Sequence, residues 1–372
     1  MLQEKDSFFL LKPDKGAWEK APSPYFIPLA EWRYLAKQKL QRHLHHQIKL
    51  KESARFIGAL LTGDIDDQNL SLNFNRLGLQ HILAISGFHF ALIAGLLRAL
   101  FQLFFSPRLS TVLLLLFITG YFLFLGDAPS IQRAWTAIAL FLIGQLIKCS
   151  ISPINALGAG LCCEILLDPL SIQNLGFQLS FLCTLALLLI YPLVRKGFEW
   201  LLPIRSFADV KAMRKLDQHG YIACSCIRQA LAIILAIHIA SLPVLLFYFH
   251  RFPLLSLIYN LFFPLGVSIS LLLASIALIL TPLPGVSPLL HAVNGYWTRG
   301  LLLLTEHPPA YFDVVLRCSS LSFEMVVIYL ALLLGAAIHL KERNAARFTR
   351  AAMNYEALAA AMRTFRKSAP SS

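Results

Sequence analysis

The 372-residue chain has few charged residues. Only 14% of its positions are Asp, Glu, Lys or Arg, whereas 57% are hydrophobic. Soluble globular domains average about 25% charged residues, so the shortage excludes an ordinary soluble protein. Because a bilayer is the environment in which a long apolar surface is stable, the composition indicates a membrane protein.

The chain also lacks the short motifs that mark common enzymes. The phosphate-binding pattern GxxxxGK[ST], the nucleophile pattern GxSxG and the zinc pattern HExxH are all absent from the sequence. The seven cysteines show no zinc or redox spacing, since Cys224-Ser-Cys226 is not a CxxC pair. We therefore expect no catalytic residues, no cofactor and no metal, and we do not expect the protein to be an enzyme.

Long apolar blocks are what the chain has in abundance. A transmembrane helix needs about 20 apolar residues, and nine blocks reach or approach that length: 82–105, 110–126, 134–148, 153–167, 175–194, 230–249, 255–280, 289–304 and 325–340. Four are short and could be re-entrant, tilted or buried among other helices: 134–148, 153–167, 289–304 and 325–340. The sequence predicts an all-α fold, a polytopic transmembrane helical bundle with seven to nine spans.

Positive charge is concentrated outside the apolar blocks. Segments 31–62, 195–228 and 341–372 each carry seven Lys or Arg against two or three acidic residues. One interpretation is the positive-inside rule, which keeps basic loops in the cytoplasm. The other is contact with a polyanion, either anionic lipid or nucleic acid. If all five blocks before 195–228 cross, segments 31–62 and 195–228 lie on opposite sides, so either one block does not cross or segment 31–62 faces outside.

These patterns divide the chain into three parts. Residues 1–62 comprise an extended piece without a signal-peptide pattern, followed by one basic amphipathic helix over 31–62 of the kind that lies on a membrane surface. Residues 63–340 form the membrane domain. Residues 341–372 form a second basic amphipathic segment at the surface.

Polar side chains inside the apolar blocks are the candidate functional residues, because they are expensive to bury in lipid and usually face an interior or a watery path. In the first block, Ser86 and His89 are three residues apart and share a helix face. The alternative is a structural role, with His81 at the interface and His89 bonded to a neighbouring backbone.

Five further polar residues interrupt the blocks: Asp127, Arg133, Gln178, His250 and Asn260. Asp127 and Arg133 either bound a polar vestibule or simply flank a turn with an interfacial arginine. Gln178 is typical of hydrogen bonding between helices, with a pore-lining role as the alternative. His250 begins an expected tight turn.

Small residues and prolines in the blocks predict how the helices pack. Gly87, Ala91 and Gly95 recur every four residues and form a ridge that lets a neighbouring helix approach closely. Pro243 and Pro264 each remove a backbone donor inside an apolar block, so they free a carbonyl and favour bent helices around a cavity.

The order of several strings resembles the ComEC family of bacterial competence proteins over about residues 55–280. The matching strings are Leu60–Asp64 (LLxGD), His81–His89 (HLLAISGLH), Arg133-Ala134 (RA), Asp168-Pro169 (DP), Gly176–Phe181 (GFQLSF), and Leu242-Pro243 followed by Phe249, Asn260 and Pro264 (LP…F…NL…P). That family is known as the inner-membrane channel for transforming DNA. The resemblance implies a multi-pass protein of the bacterial cytoplasmic membrane that passes single-stranded DNA during natural transformation.

In this role the polar residues would line or gate the DNA path: Ser86, His89, Asp127, Arg133, Gln178 and Asn260, with His81 and His250 near its mouths. The implied partners are single-stranded DNA, the lipid bilayer, a periplasmic DNA-capture protein, a cytoplasmic helicase or ATPase, a separate nuclease and a second copy in a homodimer.

The resemblance does not extend to the soluble domains of the long family members, an N-terminal OB-type domain and a C-terminal metallo-β-lactamase-like domain. Too few residues precede the first helix or follow residue 340 for either fold, so nuclease activity is not expected. Two alternatives to a DNA channel stay open, a transporter of small solutes or lipids and a non-conducting membrane scaffold.

Overall fold

The chain folds almost entirely into α-helices. The computed structural model describes residues 29–65, 67–83, 87–126, 129–149, 151–201, 203–308, 315–317 and 321–343. Apart from the α-helices, these residues form one short 3₁₀ helix and a two-stranded antiparallel sheet. The predicted all-α class is confirmed.

The helices are numbered in chain order. The first eight are α1 (Leu29–Gln47), α2 (Lys51–Thr62), α3 (Gln68–Arg76), α4 (Gln80–Leu83), α5 (Gly87–Phe104), α6 (Pro107–Leu125), α7 (Pro129–Leu146) and α8 (Pro153–Leu167). After a 3₁₀ helix (Pro169–Gln173) come α9 (Leu175–Leu189), α10 (Tyr191–Leu201), α11 (Phe207–Ala212), α12 (Lys215–Phe249), α13 (Leu255–Ile279), α14 (Val286–Glu306) and α15 (Phe323–Arg343). Strand β1 (Arg251–Pro253) pairs with β2 (Val315–Arg317).

The protein is a helical membrane protein, and its described residues hold fewer candidate spans than the sequence predicted. Within the described residues, five segments are long and apolar enough to cross a bilayer: Gln80–Phe104 (α4 and α5), α6, α12, α13 and α15. The pair α9 and α10 is a sixth candidate, bent by 50°. The described residues thus hold five or six candidate spans, against the seven to nine expected from the sequence.

Length and polarity explain the lower number. Helix α8 has only 15 residues, too few for a bilayer that needs about 20. Helix α14 is long enough but carries buried polar side chains. Asn294 donates to the Ser270 carbonyl of α13 at 3.0 Å, and the Ser270 and Thr298 hydroxyls share a hydrogen bond of 2.9 Å. Such groups join helices to each other rather than to lipid.

The basic N-terminal segment is two helices, not the single surface helix predicted over 31–62. Helix α1 ends at Gln47, and α2 begins at Lys51 after Leu50 in extended backbone. Most of α2 is buried, and it packs against α1, α13 and α14. The Ser53 hydroxyl donates to the Gly295 carbonyl at 2.9 Å. The charges of this segment lie mainly on α1, so α2 is free to enter the core.

Aromatic rings and alanines organise two packed clusters. In the larger cluster, the Phe74 ring lies 5.6 Å from Phe56 and 5.5 Å from Phe263, which joins α2, α3 and α13. In the smaller cluster, Ala186 and Ala240 let α9, α12 and α15 approach closely. Helices α4 and α5 belong to the larger cluster.

Both predicted prolines lie inside helices, Pro243 in α12 and Pro264 in α13. Because Pro243 has no N–H, the Ile239 carbonyl lacks its helical donor. The Tyr329 hydroxyl of α15 donates to this carbonyl at 2.9 Å. In a bilayer, where no water competes for the carbonyl, this contact satisfies the backbone and attaches α15 to α12.

We predict that Tyr329→Phe lowers the free energy of unfolding by about 1 kcal/mol, because the Ile239 carbonyl loses its donor. In a Pro243→Ala background the helix regains an N–H at position 243, so the same change should cost much less. Unfolding of the purified protein in detergent, followed by circular dichroism, measures both costs. Tyr296→Phe is the control, because Tyr296 lies on the exposed surface of α14. Equal costs of Tyr329→Phe in the two backgrounds would contradict the prediction.

Candidate functional site

The first candidate span runs from Gln80 to Phe104 and includes α4 and α5. Gly87 is the first described residue of α5. Two of the predicted path residues, Ser86 and Asp127, lie outside the described residues.

Arg133 of α7 lies beside the start of α5. A Cβ atom placed on Gly87 would lie only 3.1 Å from Nη2 of Arg133, so the absence of a side chain at Gly87 lets the guanidinium approach the backbone. Nε of Arg133 donates to the Ser180 hydroxyl of α9 at 2.7 Å. The half-buried Arg133 thus joins the two most specific motif strings, His81–His89 and Gly176–Phe181.

A carboxylate of α8 lies at the same place. Glu164 is only 3% exposed, and it is within electrostatic range of the Arg133 guanidinium. We call Arg133, Ser180 and Glu164 the arginine cluster. The sequence analysis missed Glu164, although an acidic residue inside the apolar block 153–167 is the kind of signal that marks a functional group in a membrane.

A cavity of about 220 Å³ adjoins the arginine cluster between α7, α8 and α9. Arg133 and Thr184 are its polar residues, and its other lining residues are apolar: Ala137, Phe141, Ile151, Pro153, Ala156, Leu157 and Leu188. Arg133 therefore borders open space.

Histidines and an amide lie around α4. The Gly78 backbone, the Asn260 side chain and His238 of α12 are neighbours of the His81 ring. Nδ1 of His238 is 2.8 Å from the Ile234 carbonyl. We call His81, His238 and Asn260 the histidine cluster. His238 was not among the path residues predicted from the sequence.

His89 is buried and the Gln178 side chain is engaged in hydrogen bonds, whereas residues that line an open path would face water. His89 is only 3% exposed. The Gln178 amide nitrogen donates to the Ile172 carbonyl at 3.0 Å, and its Oε1 accepts from the Tyr248 hydroxyl at 3.1 Å. Gln178 therefore joins α9 to α12, which is the interhelical role that the sequence analysis had kept as one of two options.

His250 and the small-residue ridge differ from expectation. His250 is exposed and ends α12 in left-handed backbone (φ 53°), and it is followed by strand β1 rather than by a tight turn. Gly87 makes the close contact expected of the ridge. Ala91 and Gly95 are exposed, and a Cβ on Gly95 would meet nothing within 4 Å. In the described part of the chain their face lies away from neighbouring helices, which corrects their predicted packing role.

Other motif residues have structural roles. Gly63 ends α2 in left-handed backbone (φ 78°), and Asp64 pairs with the buried Lys37 of α1 at 2.8 Å. Asp168 and Asn174 accept backbone N–H groups at the starts of the 3₁₀ helix and of α9. These residues fix the ends of the helices that hold the two clusters.

Gly78 sets the position of His81. Its φ is +69°, and a Cβ there would lie 2.8 Å from Cγ of Pro253 and 2.9 Å from Cβ of Ser256. Only glycine fits this close approach at a positive φ. The loop before α4 is thereby held against β1 and α13, the helix that carries Asn260.

We predict that Gly78→Ala lowers the free energy of unfolding in detergent by about 1 to 3 kcal/mol, the range for strained backbone. Gly95→Ala is the matched control, because it adds the same methyl group in open space within a helix and should be neutral or slightly stabilising. Thermal unfolding of both variants measures the difference, and equal effects would refute the role of Gly78.

Comparison with known proteins agrees with the motifs. The family model described as Competence protein matches residues 60–343. The chain is also similar to ComE operon protein 3 of Bacillus subtilis (strain 168), with 29% identity over a region that covers 56% of this chain and 24% of that protein. The match thus spans about a quarter of the length of this curated relative. No solved structure matches the chain. Both clusters and their motif strings lie within the region of the family match. Because that match covers residues 60–343, the chain belongs to the competence protein family, and the resemblance to ComEC is confirmed.

Proposed function

We propose that this protein is an inner-membrane channel that passes single-stranded DNA into the bacterial cytoplasm during natural transformation. Membership in the competence protein family supports DNA uptake as the process. The observation that carries the channel role is the position of Arg133, a cation at the start of α5 between the two motif strings.

The chemistry of DNA explains why this position matters. Each nucleotide of the strand carries a negative phosphate, which hydrocarbon excludes. Guanidinium groups bind phosphate through two parallel N–H donors. Arg133 offers such donors beside Gly87 of α5.

The histidine cluster offers groups that can contact the bases of the strand. His81 and Asn260 present uncharged hydrogen-bonding groups, and imidazole rings can stack on unpaired bases. Weak contacts of this kind let a strand slide, whereas a row of cations would hold it. A single cation near the histidine cluster is therefore suited to passage rather than storage.

The chain is proposed to conduct without catalysis. Strand degradation and energy would come from separate proteins, a nuclease and a cytoplasmic helicase or ATPase. A periplasmic protein would deliver the DNA, and a second copy of the chain would complete the channel. The multi-pass fold would lie in the cytoplasmic membrane.

A lipid transporter is the second candidate, and the cavity beside Arg133 favours it. An apolar pocket of about 220 Å³ with a guanidinium at its edge has the chemistry of a site for an anionic amphiphile. Saturable movement of fluorescent anionic lipid between leaflets of vesicles that contain the protein, with no effect of DNA, would support this candidate.

We predict that Arg133→Ala lowers import of labelled DNA about ten- to a hundredfold, the size of a lost charge-assisted contact. Arg133→Lys should recover part of the import, because it keeps the charge and loses the two-pronged geometry. The assay measures nuclease-resistant DNA and transformants in host cells whose own copy is replaced by each variant.

Arg108→Ala is the matched control, since Arg108 is an exposed arginine at the start of α6 and should leave import unchanged. Immunoblots of membranes confirm equal amounts of each variant, and DNA bound outside the cell should not change. Normal import by Arg133→Ala at equal protein level would overturn the proposed function.

A further inference from the structure

We propose that Glu164 is the resident counter-ion of Arg133 and that a phosphate of the passing strand displaces it from the guanidinium. The inference rests on the proposed function and assigns one more residue to it. Glu164 would act as a positioning residue, because it acts on the strand through Arg133.

The register of α7 against α8 places the two charges side by side. A Cβ on Gly144, near the end of α7, would lie 3.2 Å from Ile151, which precedes α8. Further from the turn, a Cβ on Gly160 of α8 would lie 3.9 Å from Thr136 of α7. The helices therefore run antiparallel in a constant register. One more turn along each helix brings Glu164 level with Arg133.

Burial makes the two charges dependent on each other. An unpaired carboxylate as buried as Glu164 would be costly, and so would an unpaired guanidinium among apolar helices. The Ser180 hydroxyl supplies a hydrogen bond to Arg133 but no charge. Glu164 lies within electrostatic range of Arg133, so it neutralises the cluster when no DNA is present.

The guanidinium can change partners without leaving its place. It has five N–H donors, of which Nε–H is used by Ser180, whereas Nη2 faces the start of α5 at Gly87. A phosphate that approaches from the Gly87 side would meet the Nη donors. The adjoining cavity gives the side chains room for the exchange.

Competition by Glu164 would keep the strand moving. A phosphate binds the Arg133 guanidinium only if the ion pair with Glu164 is broken. The cost of breaking that pair lowers the net affinity of the phosphate. When that phosphate leaves, the carboxylate returns to the guanidinium and the site is neutral before the next phosphate arrives. Glu164 therefore weakens binding and speeds release, which are opposite to the effects of a residue that only supports the fold.

The test compares oligonucleotide binding with import. We expect Glu164→Gln to tighten the binding of fluorescein-labelled oligothymidine to the full chain in detergent about fivefold, as expected for removal of a competing ion pair. The same variant should import DNA more slowly in cells. Tighter binding together with slower import is the expected signature.

Two comparisons isolate the effect. Glu306→Gln makes the same charge change in the ion pair with Arg299, away from the arginine cluster, and should leave binding unchanged. In an Arg133→Gln background, Glu164→Gln should have no effect on binding, since the guanidinium for which it competes is gone. If Glu164→Gln does not fold, Glu164→Asp replaces it and should tighten binding by a smaller factor.

The outcomes separate this inference from the proposed function. Weaker or unchanged binding by folded Glu164→Gln, or equal tightening by Glu306→Gln, would overturn the counter-ion role while leaving the loss of import by Arg133→Ala intact. If Arg133→Ala imports DNA normally, the proposed function fails first, whatever the Glu164 variants do.

Discussion

A charged guanidinium packed among apolar helices has to be held by other polar groups, and this requirement organises the surroundings of Arg133. Its neighbours come from three separate helices: Gly87 of α5, the Ser180 hydroxyl of α9 and the Glu164 carboxyl of α8. Because each of these helices contributes one group, none can shift alone without exposing a charge to hydrocarbon. The same arrangement explains why the glycine at position 87 and the serine at position 180 occur within motif strings that are far apart in the sequence.

Polar groups at the helix ends and at the prolines are likewise paired with other groups of the protein. The Ile239 carbonyl that Pro243 leaves without a donor is used by Tyr329, and Gly63 with Asp64 closes α2 against Lys37. In water such groups would bind solvent, whereas in a bilayer each needs a partner in the protein. The polar and small residues of the motif strings therefore fall into two groups. Some, such as Gly63 and Asp64, stabilise the helix ends, and others, such as Arg133, are positioned to bind a ligand.

The sequence predicted the helical class and singled out Arg133 as a candidate residue, because long apolar blocks and isolated polar residues are local signals. It did not predict which blocks cross, since α14 is apolar in outline and its Asn294 and Thr298 find partners only in α13. It also treated α2 as part of a surface helix, because the basic residues of α1 dominated the pattern over 31–62. Glu164 was missed because its significance lies in a neighbour, Arg133, that only the packing of α7 on α8 brings close.

The burial of α2 has a consequence for how the protein is made. Helix α2 precedes the first span, yet its Ser53 hydroxyl is bonded to Gly295 of α14, 242 residues later in the chain. At a synthesis rate of about 5–20 residues per second, α14 follows α2 from the ribosome by roughly 10 to 50 s. During that interval the apolar side of α2 has no final partner, so the nascent chain has to be shielded at the membrane until the last helices of the core arrive.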